Sequence, residues 1–498
     1  MRNFLRLLIF TLVLMSTSLP GFAQDSEENI RNIRFDRKYD AAVELSMESQ
    51  GYSSFVIQVP RELFAFEILL KNAEADLDLF VRHGSPIENY GQTDASSSTE
   101  LYDERLLLSR LSRNPLETGS YYIDVVYQGE YAPLREYRRM NRIPFEIEVR
   151  SIKPGLQERI RTGTAVQGEL RPGDGMAKTF ELELQSGVDK CRIDIFDADA
   201  NLDILVGYEK PDLTRKNADY IGDSLVGNES LVFGPTSRTR SLPAGTYYIT
   251  VYDAVQSKYP ETFGIQVTAG DEPPERLLRI PRFPLTDDEL QHSLHATVEV
   301  VGERGRGSGC IVTEEGMILT SWHVVRGYSG GASEQIIVAS SLSPQSPPVE
   351  LFRAELVDHD EAADLALLQV KTGLYGQDLP TDYEFPFLPL DDSREHRIGQ
   401  PLSIIGYPGT GNAGSRISVS LSRGIISGFE KRGSATLIKT DAPVLPGTSG
   451  GAVINTYFEL LGIPLYSVGE TGGGIGYVYP VHDLPEDWKE MIRSRNNF

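Results

Sequence analysis

Three segments in the last two-fifths of the chain carry side chains whose types and order suit acyl-transfer chemistry. Met317-Ile318-Leu319-Thr320-Ser321-Trp322-His323-Val324-Val325 sets an imidazole at the end of an apolar run, and Asp364 opens the run Leu365-Ala366-Leu367-Leu368-Gln369-Val370. Gly447-Thr448-Ser449-Gly450-Gly451-Ala452, shortly after Lys439-Thr440-Asp441-Ala442, frames a serine with glycines. A serine hydroxyl is a poor nucleophile at neutral pH and needs an imidazole to take its proton, while a carboxylate fixes the imidazole's tautomer and stabilises its cation. The order His323, Asp364, Ser449 meets that need. Taken singly, each has a plain structural explanation: a strand-end histidine, a turn acceptor, a flexible glycine loop. Their joint presence, each beside an apolar strand, is what points to catalysis.

The elements that must position these groups are short strands. Ala296 to Val301, Cys310 to Val312, Met317 to Thr320, Leu365 to Val370, Ser403 to Gly406, Gly424 to Ser427 and Ala452 to Ile454 are apolar runs separated by Gly-rich turns. Such spacing predicts a pair of antiparallel barrels over residues 292–498, with a short closing helix near Asp487 to Ile492.

This region resembles the HtrA/Deg branch of trypsin-like serine proteases. The similarity rests on G-S-G-x-I-V before I-L-T-S-x-H-V-V, then D-L-A-L-L-Q-V, G-Y-P-G, R-G-I-I-S-G, P-G-T-S-G-G-A-V-I-N and I-G-Y-V-Y-P-V, in order across about residues 293–485. It implies a chymotrypsin-like double barrel and a serine endopeptidase of polypeptides, with His323 as general base, Asp364 as its orienting carboxylate and Ser449 as nucleophile. It also implies an oxyanion hole from the N–H groups of Gly447 and Ser449. Pro443 and the strand Gly474-Ile475-Gly476-Tyr477 would line the substrate pocket; none carries a charge, so small or medium apolar residues are the expected preference. Thr448 stands where zymogen-type relatives carry an aspartate, so activation by a freshly cut N-terminus is not expected. The family's usual PDZ domain is not expected after the closing helix.

Upstream, the chain repeats itself. Phe55 and Phe180 open matching strands, Asp78 and Asp203 open L-D-L and L-D-I matches at the same offset of 125, and Gly119-Ser-Tyr-Tyr-Ile-Asp-Val answers Gly245-Thr-Tyr-Tyr-Ile-Thr-Val at 126. Period-2 alternation marks half-buried strands, and a repeated order with small drifts marks a duplicated domain. Two tandem β-sandwiches are therefore expected, at residues 40–150 and 160–270. They resemble the bacterial pre-peptidase C-terminal (PPC) domain. The fold class as a whole is all-β. Residues 271–291, rich in proline, read as a linker.

Residues 1–23 read as a signal peptide: Arg2 and Arg6, then Leu7 to Met15, then Gly21 and Ala23 as small residues for cleavage. The protein is expected to be exported, to the periplasm or beyond the cell, with no membrane span after cleavage. Among 498 residues, 48 Lys+Arg face 71 Asp+Glu, a formal net charge of -23 that argues against nucleic acid as partner. Cys191 and Cys310 are the two cysteines and fall in different domains, so buried free thiols are expected rather than a disulfide.

No metal or other cofactor is required by the chemistry above. His292 and His295 lack the glutamate of a zinc motif, and His359 between Asp358 and Asp360 reads as an exposed loop histidine. The run Asp197-Ala-Asp199-Ala-Asn201-Leu-Asp203 invites a calcium reading on the second sandwich, although Leu202 and Tyr208 break the EF-hand pattern. With no PDZ domain expected, targeting is expected to fall to the sandwiches, to a partner they bind, or to a homo-oligomer. The rival reading is a periplasmic or surface binding protein with a catalytically silent protease-like barrel.

Overall fold

A computed structural model describes residues 30–45, 51–97, 103–112, 114–127, 142–224, 227–235, 240–343, 345–409, 418–433, 435–468 and 474–496. The expected signal peptide lies outside the described residues. Among those described, no helix is long and apolar enough to cross a membrane. Two compact units divide the chain after Lys153.

In the first unit, alternation builds a two-sheet sandwich. One sheet runs Arg31–Asn32, Tyr52–Val59, Gly119–Val126, Asp78–His83, Ala95–Ser97, and the other Arg37–Glu44, Arg142–Ile152, Ala65–Lys71, Glu104–Ser109. Phe55, Ile57 and Val59 point inward from one strand and meet Phe66, Ile68, Ile123 and Ile147 in a dry core. The second unit opens with the same design. Glu158–Ile160, Ala177–Leu184, Gly245–Tyr252, Asp203–Tyr208 and Tyr220–Gly222 form one sheet, and Ala165–Leu170, Glu261–Ala269, Cys191–Phe196 and Ser230–Phe233 the other. The copies agree in register: Phe55 pairs with Ile123, and Phe180 with Ile249. Each first strand pairs in parallel with the strand that carries that phenylalanine.

The rest of the second unit is two closed six-stranded barrels. The first contains Thr297–Gly302, Gly305–Ile311, Met317–Thr320, Leu365–Gly373, Val349–Asp360 and Ile336–Ser340 in order around the barrel. The second contains Pro401–Gly406, Ser420–Arg432, Ala435–Thr440, Ile475–Pro480, Leu460–Val468 and Ala452–Ile454. One buried cluster joins them, with Cys310, Met317 and Leu365 from the first barrel against Ile405, Leu437 and Ile463 from the second. The closing helix, Glu486–Arg495, drives Trp488 and Ile492 into that same cluster. The all-β expectation with a short C-terminal helix therefore holds.

Residues 271–291 differ from a free connector. Phe283 inserts into the first barrel's core and stacks on Phe352, and Tyr383 donates its hydroxyl proton to the Pro281 carbonyl at 2.6 Å. Arg276 lies over the Phe196 ring of the second sandwich at 3.6 Å. Buried Glu350 of the first barrel accepts the main-chain N–H of Gly227 at 2.8 Å and of Asn228 at 3.3 Å, so a barrel carboxylate fills a backbone nest on the sandwich. A helix not anticipated, Glu289–His295, is capped by the Asp288 carboxylate, which accepts from Leu290 and Gln291 N–H.

Cys191 and Cys310 are free and buried, and burial pushes the Cys191 thiol up to about 12. The acidic run of the second sandwich spends its carboxylates on separate partners. Asp199 accepts from the Thr262 N–H at 2.9 Å and hydroxyl at 2.6 Å, and Asp203 faces Arg215 at 3.4 Å. His292 Nε2 is hydrogen-bonded to the Phe387 carbonyl at 2.9 Å.

Glu261 and Asp253 are buried together in the second sandwich. Desolvation, reinforced by the Asp253 charge, pushes the Glu261 carboxyl up to about 8. The folded state thus holds a proton that the unfolded chain releases near its ordinary 4.5, so stability falls as pH rises from 4.5 to about 8. Glu261→Gln is expected to flatten that slope and raise the sandwich's calorimetric midpoint at the alkaline end; an unchanged slope contradicts the assignment.

Candidate active site

The imidazole is carried by a single helical turn, Trp322–Val325, after the strand Met317–Thr320. A helix this short does not hold itself, so its geometry is imposed from outside. Asp364 does much of this. Its own backbone is left-handed, φ +57°, at the end of a turn in which Asp360 Oδ1 accepts the N–H of Ala362 at 2.9 Å and of Ala363 at 3.0 Å. Aspartate is among the few residues that take this conformation at modest cost. From there its carbonyl accepts the Trp322 N–H at 3.1 Å, Oδ1 accepts the His323 main-chain N–H at 2.9 Å, and Oδ2 meets His323 Nδ1 at 2.6 Å. With the proton on Nδ1 donated to the carboxylate, Nε2 is left as the basic nitrogen.

The serine loop is shaped by two left-handed glycines. Gly447 has φ +92°, and a Cβ there would stand 2.4 Å from the Gly409 nitrogen. Its carbonyl accepts the Ser308 hydroxyl at 2.8 Å, and Ser308 Oγ accepts the Tyr407 N–H at 2.8 Å, which ties the loop to both barrels. Gly450 has φ +84°, and a Cβ there would stand 2.3 Å from the Ser308 carbonyl and 2.8 Å from the Ser321 nitrogen. The serine loop therefore lies directly on the segment that leads into His323. Thr448 turns inward, its N–H and hydroxyl both donating to the Leu445 carbonyl at 3.0 and 2.7 Å. Among the described residues, the N–H groups of Gly447 and Ser449 have no acceptor.

Ser449 itself points elsewhere. Its hydroxyl donates to the Leu465 carbonyl at 3.0 Å, and no hydrogen bond joins it to His323. That carbonyl is available because the ladder slips at Leu465: Pro464 pairs with Val478, but Tyr466 pairs with Tyr477, leaving Leu465 as the bulged residue. The structure thus joins His323 to Asp364 and brings the Ser449 loop alongside, with the hydroxyl parked on a neighbouring strand.

The candidate pocket residues divide. Gly476 is buried, and a Cβ on it would stand 2.6 Å from a Val444 methyl and 3.3 Å from the Ala442 carbonyl, against the chain that leads into the serine loop. Pro443 is exposed, its carbonyl accepting the Ser422 hydroxyl at 3.2 Å. Gly474 is half-buried, and Ile475 is exposed. Tyr477 alternates to the other face, where it stacks on Tyr466 at 4.9 Å and donates to Glu430 at 3.0 Å, which raises its phenol above the ordinary value. The residues that sequence reasoning missed are Ser308, Leu465 and the Trp322–His359 pair. The G-S-G motif was a usable signal for Ser308; nothing local signals a bulged carbonyl.

Comparison with known proteins places this geometry in context. Residues 307–463 match the family model described as "Trypsin-like peptidase domain". The serine endoprotease DegS of Haemophilus influenzae is 31% identical over 198 residues, 38% of this chain and 50% of that protein. DegS of Escherichia coli (strain K12) is 32% identical over 216 residues, 41% of this chain and 52% of that protein. The serine protease Do-like HtrA of Bacillus subtilis is 30% identical over 203 residues, 38% and 40% respectively. The crystal structure of a serine endoprotease from Yersinia pestis has 31% identity, covers 43% of this chain and 68% of that one, and superposes with a TM-score of 0.32. The chain spans about half the length of the DegS relatives.

Gly450 and Gly376 share φ +84°, but a Cβ on Gly376 meets nothing within 4 Å. Gly376→Ala is expected to cost about 1 kcal/mol from backbone strain alone. Gly450→Ala should cost at least about 2 kcal/mol more, because the loop must back away from Ser308 and Ser321. Thermal unfolding of the two variants checks this; equal losses contradict the close approach.

Proposed function

We propose that this chain, whose residues 307–463 match a trypsin-like peptidase domain, is an exported HtrA-type serine endopeptidase acting on polypeptides through His323, Asp364 and Ser449. The observation that carries the reading is the Asp364–His323 pair, with Nε2 as its base, on a segment against which Gly450 of the serine loop lies, a loop whose Gly447 and Ser449 N–H groups have no acceptor among the described residues. The similarity to DegS and HtrA over this region supports it.

In this mechanism Ser449 Oγ leaves the Leu465 carbonyl and turns toward His323 Nε2, giving up one hydrogen bond worth about 1 kcal/mol. Nε2 takes the hydroxyl proton as Oγ attacks the scissile carbonyl, and Asp364 stabilises the imidazolium that results. The developing oxyanion receives the N–H groups of Gly447 and Ser449. The imidazolium returns its proton to the leaving amine, and a water molecule then releases the acyl group by the same steps in reverse. Pro443, Gly474, Ile475, Gly476 and Tyr477 border the pocket for the residue before the scissile bond, and their lack of charge favours an apolar side chain there. The leader at residues 1–23 carries the protein out of the cytoplasm. The two sandwiches, PPC-like by their strand motifs, serve targeting through a partner or a homo-oligomer.

One observation favours the second reading, a silent barrel on a binding protein: Ser449 donates to Leu465 rather than to His323. Fluorophosphonate labelling separates the two readings, because the probe reports an activated serine without a known substrate. Labelling of the full chain that falls at least about a thousandfold in Ser449→Ala supports the endopeptidase. No labelling, even in the presence of added peptides, supports the silent barrel.

A further inference from the structure

His359 was expected as an exposed loop residue, and it is exposed. It lies in the strand Val349–Asp360 rather than in a loop, paired with Ala366, just after a bulge at which the ladder slips between Leu356 and Asp358. A bulge re-aims the side chains that follow it, and here it delivers the His359 ring onto the indole of Trp322. The two rings stack at 3.9 Å between centroids with 26° between planes.

Trp322 is the residue before His323. It is 3% exposed and packs into the first barrel's core, and among the described residues its indole N–H has no hydrogen-bond partner. Packing alone therefore sets how that ring lies. His359 is itself held: its main-chain N–H donates to Asp358 Oδ1 at 2.8 Å, and Asp358 Oδ2 accepts the Trp488 indole N–H of the closing helix at 2.8 Å. A rigid strand tied to the C-terminal helix thus presses one aromatic face onto the turn that carries the base.

We propose that His359 is a positioning residue for His323, acting through Trp322. This rests on the endopeptidase reading for its kinetic consequence but not for its geometry. Asp364 fixes the helical turn from the side of its first N–H groups, and His359 fixes its outer face; together they hold a turn too short to hold itself. What matters is the flat ring, so an aromatic replacement should serve.

The test uses the full chain with His359→Ala and His359→Phe, each first shown to give the same calorimetric transitions as the wild type. His359→Ala should lower the maximal rate of fluorophosphonate inactivation about tenfold while leaving the half-saturating probe concentration unchanged, the pattern of a misplaced base rather than a damaged site. His359→Phe should stay within about twofold of wild type. Equal maximal rates for His359→Ala and wild type, or a His359→Phe rate as low as that of His359→Ala, overturn the proposal. If wild type fails to label, the functional reading fails, and positioning is decided by the far-downfield proton resonance of His323 Nδ1. That signal should be sharp in wild type and His359→Phe and broadened in His359→Ala; a sharp signal in all three overturns it.

Discussion

The site depends on one carboxylate in an uncommon backbone conformation. Asp364 at φ +57° turns its carbonyl and both carboxylate oxygens toward a single helical turn, where they take the Trp322 and His323 N–H groups and the imidazole Nδ1. A right-handed or extended residue at that position would send the side chain away from the turn, and a four-residue helix has no internal means to compensate. The tautomer of His323, and therefore the nitrogen on which it is basic, follows from this one arrangement.

The second barrel supplies the rest by close contact and by hydrogen bonds through Ser308, whose N–H also donates to the Ser449 carbonyl at 2.9 Å. Gly450 removes the side chain that would separate the serine loop from Ser308 and Ser321, and Ser308 then ties the Gly447 carbonyl to the strand of Tyr407. The shared apolar cluster from Cys310 to Trp488 makes the two barrels one packed body, so these close approaches are not free to relax. In the proposed mechanism the Ser449 hydroxyl is the part that moves against that frame. Its resting acceptor, the Leu465 carbonyl, exists because the ladder slips by one residue there.

Much of this was legible in the residues alone, where the information is local. Alternation in Phe55 to Val59 and Ala177 to Leu184 names strands and their buried faces, and glycines around Ser449 mark a loop with special backbone angles. The order His323, Asp364, Ser449 is the basis of the proposed chemistry. What was not legible depends on register and long-range docking. His359 read as an exposed loop residue; it is exposed, but within a strand, where a bulge two residues earlier carries it onto Trp322. Phe283 sits in a proline-rich stretch that reads as linker, and only the fold shows that Phe352 and Phe385 wait for it. The Glu350 carboxylate and the nest at Gly227 and Asn228 are more than a hundred positions apart, joined by no sequence pattern.

In the proposed mechanism Ser449 is a nucleophile whose hydroxyl rests on Leu465 and is delivered to His323 when an acyl group arrives. A crystal structure of the full chain after reaction with a peptidyl fluorophosphonate tests this most directly. The account predicts phosphorus bonded to Ser449 Oγ, the Leu465 carbonyl released, and an adduct oxygen accepting the N–H groups of Gly447 and Ser449. An adduct on another residue, or one on Ser449 whose oxygens point away from those N–H groups, contradicts it.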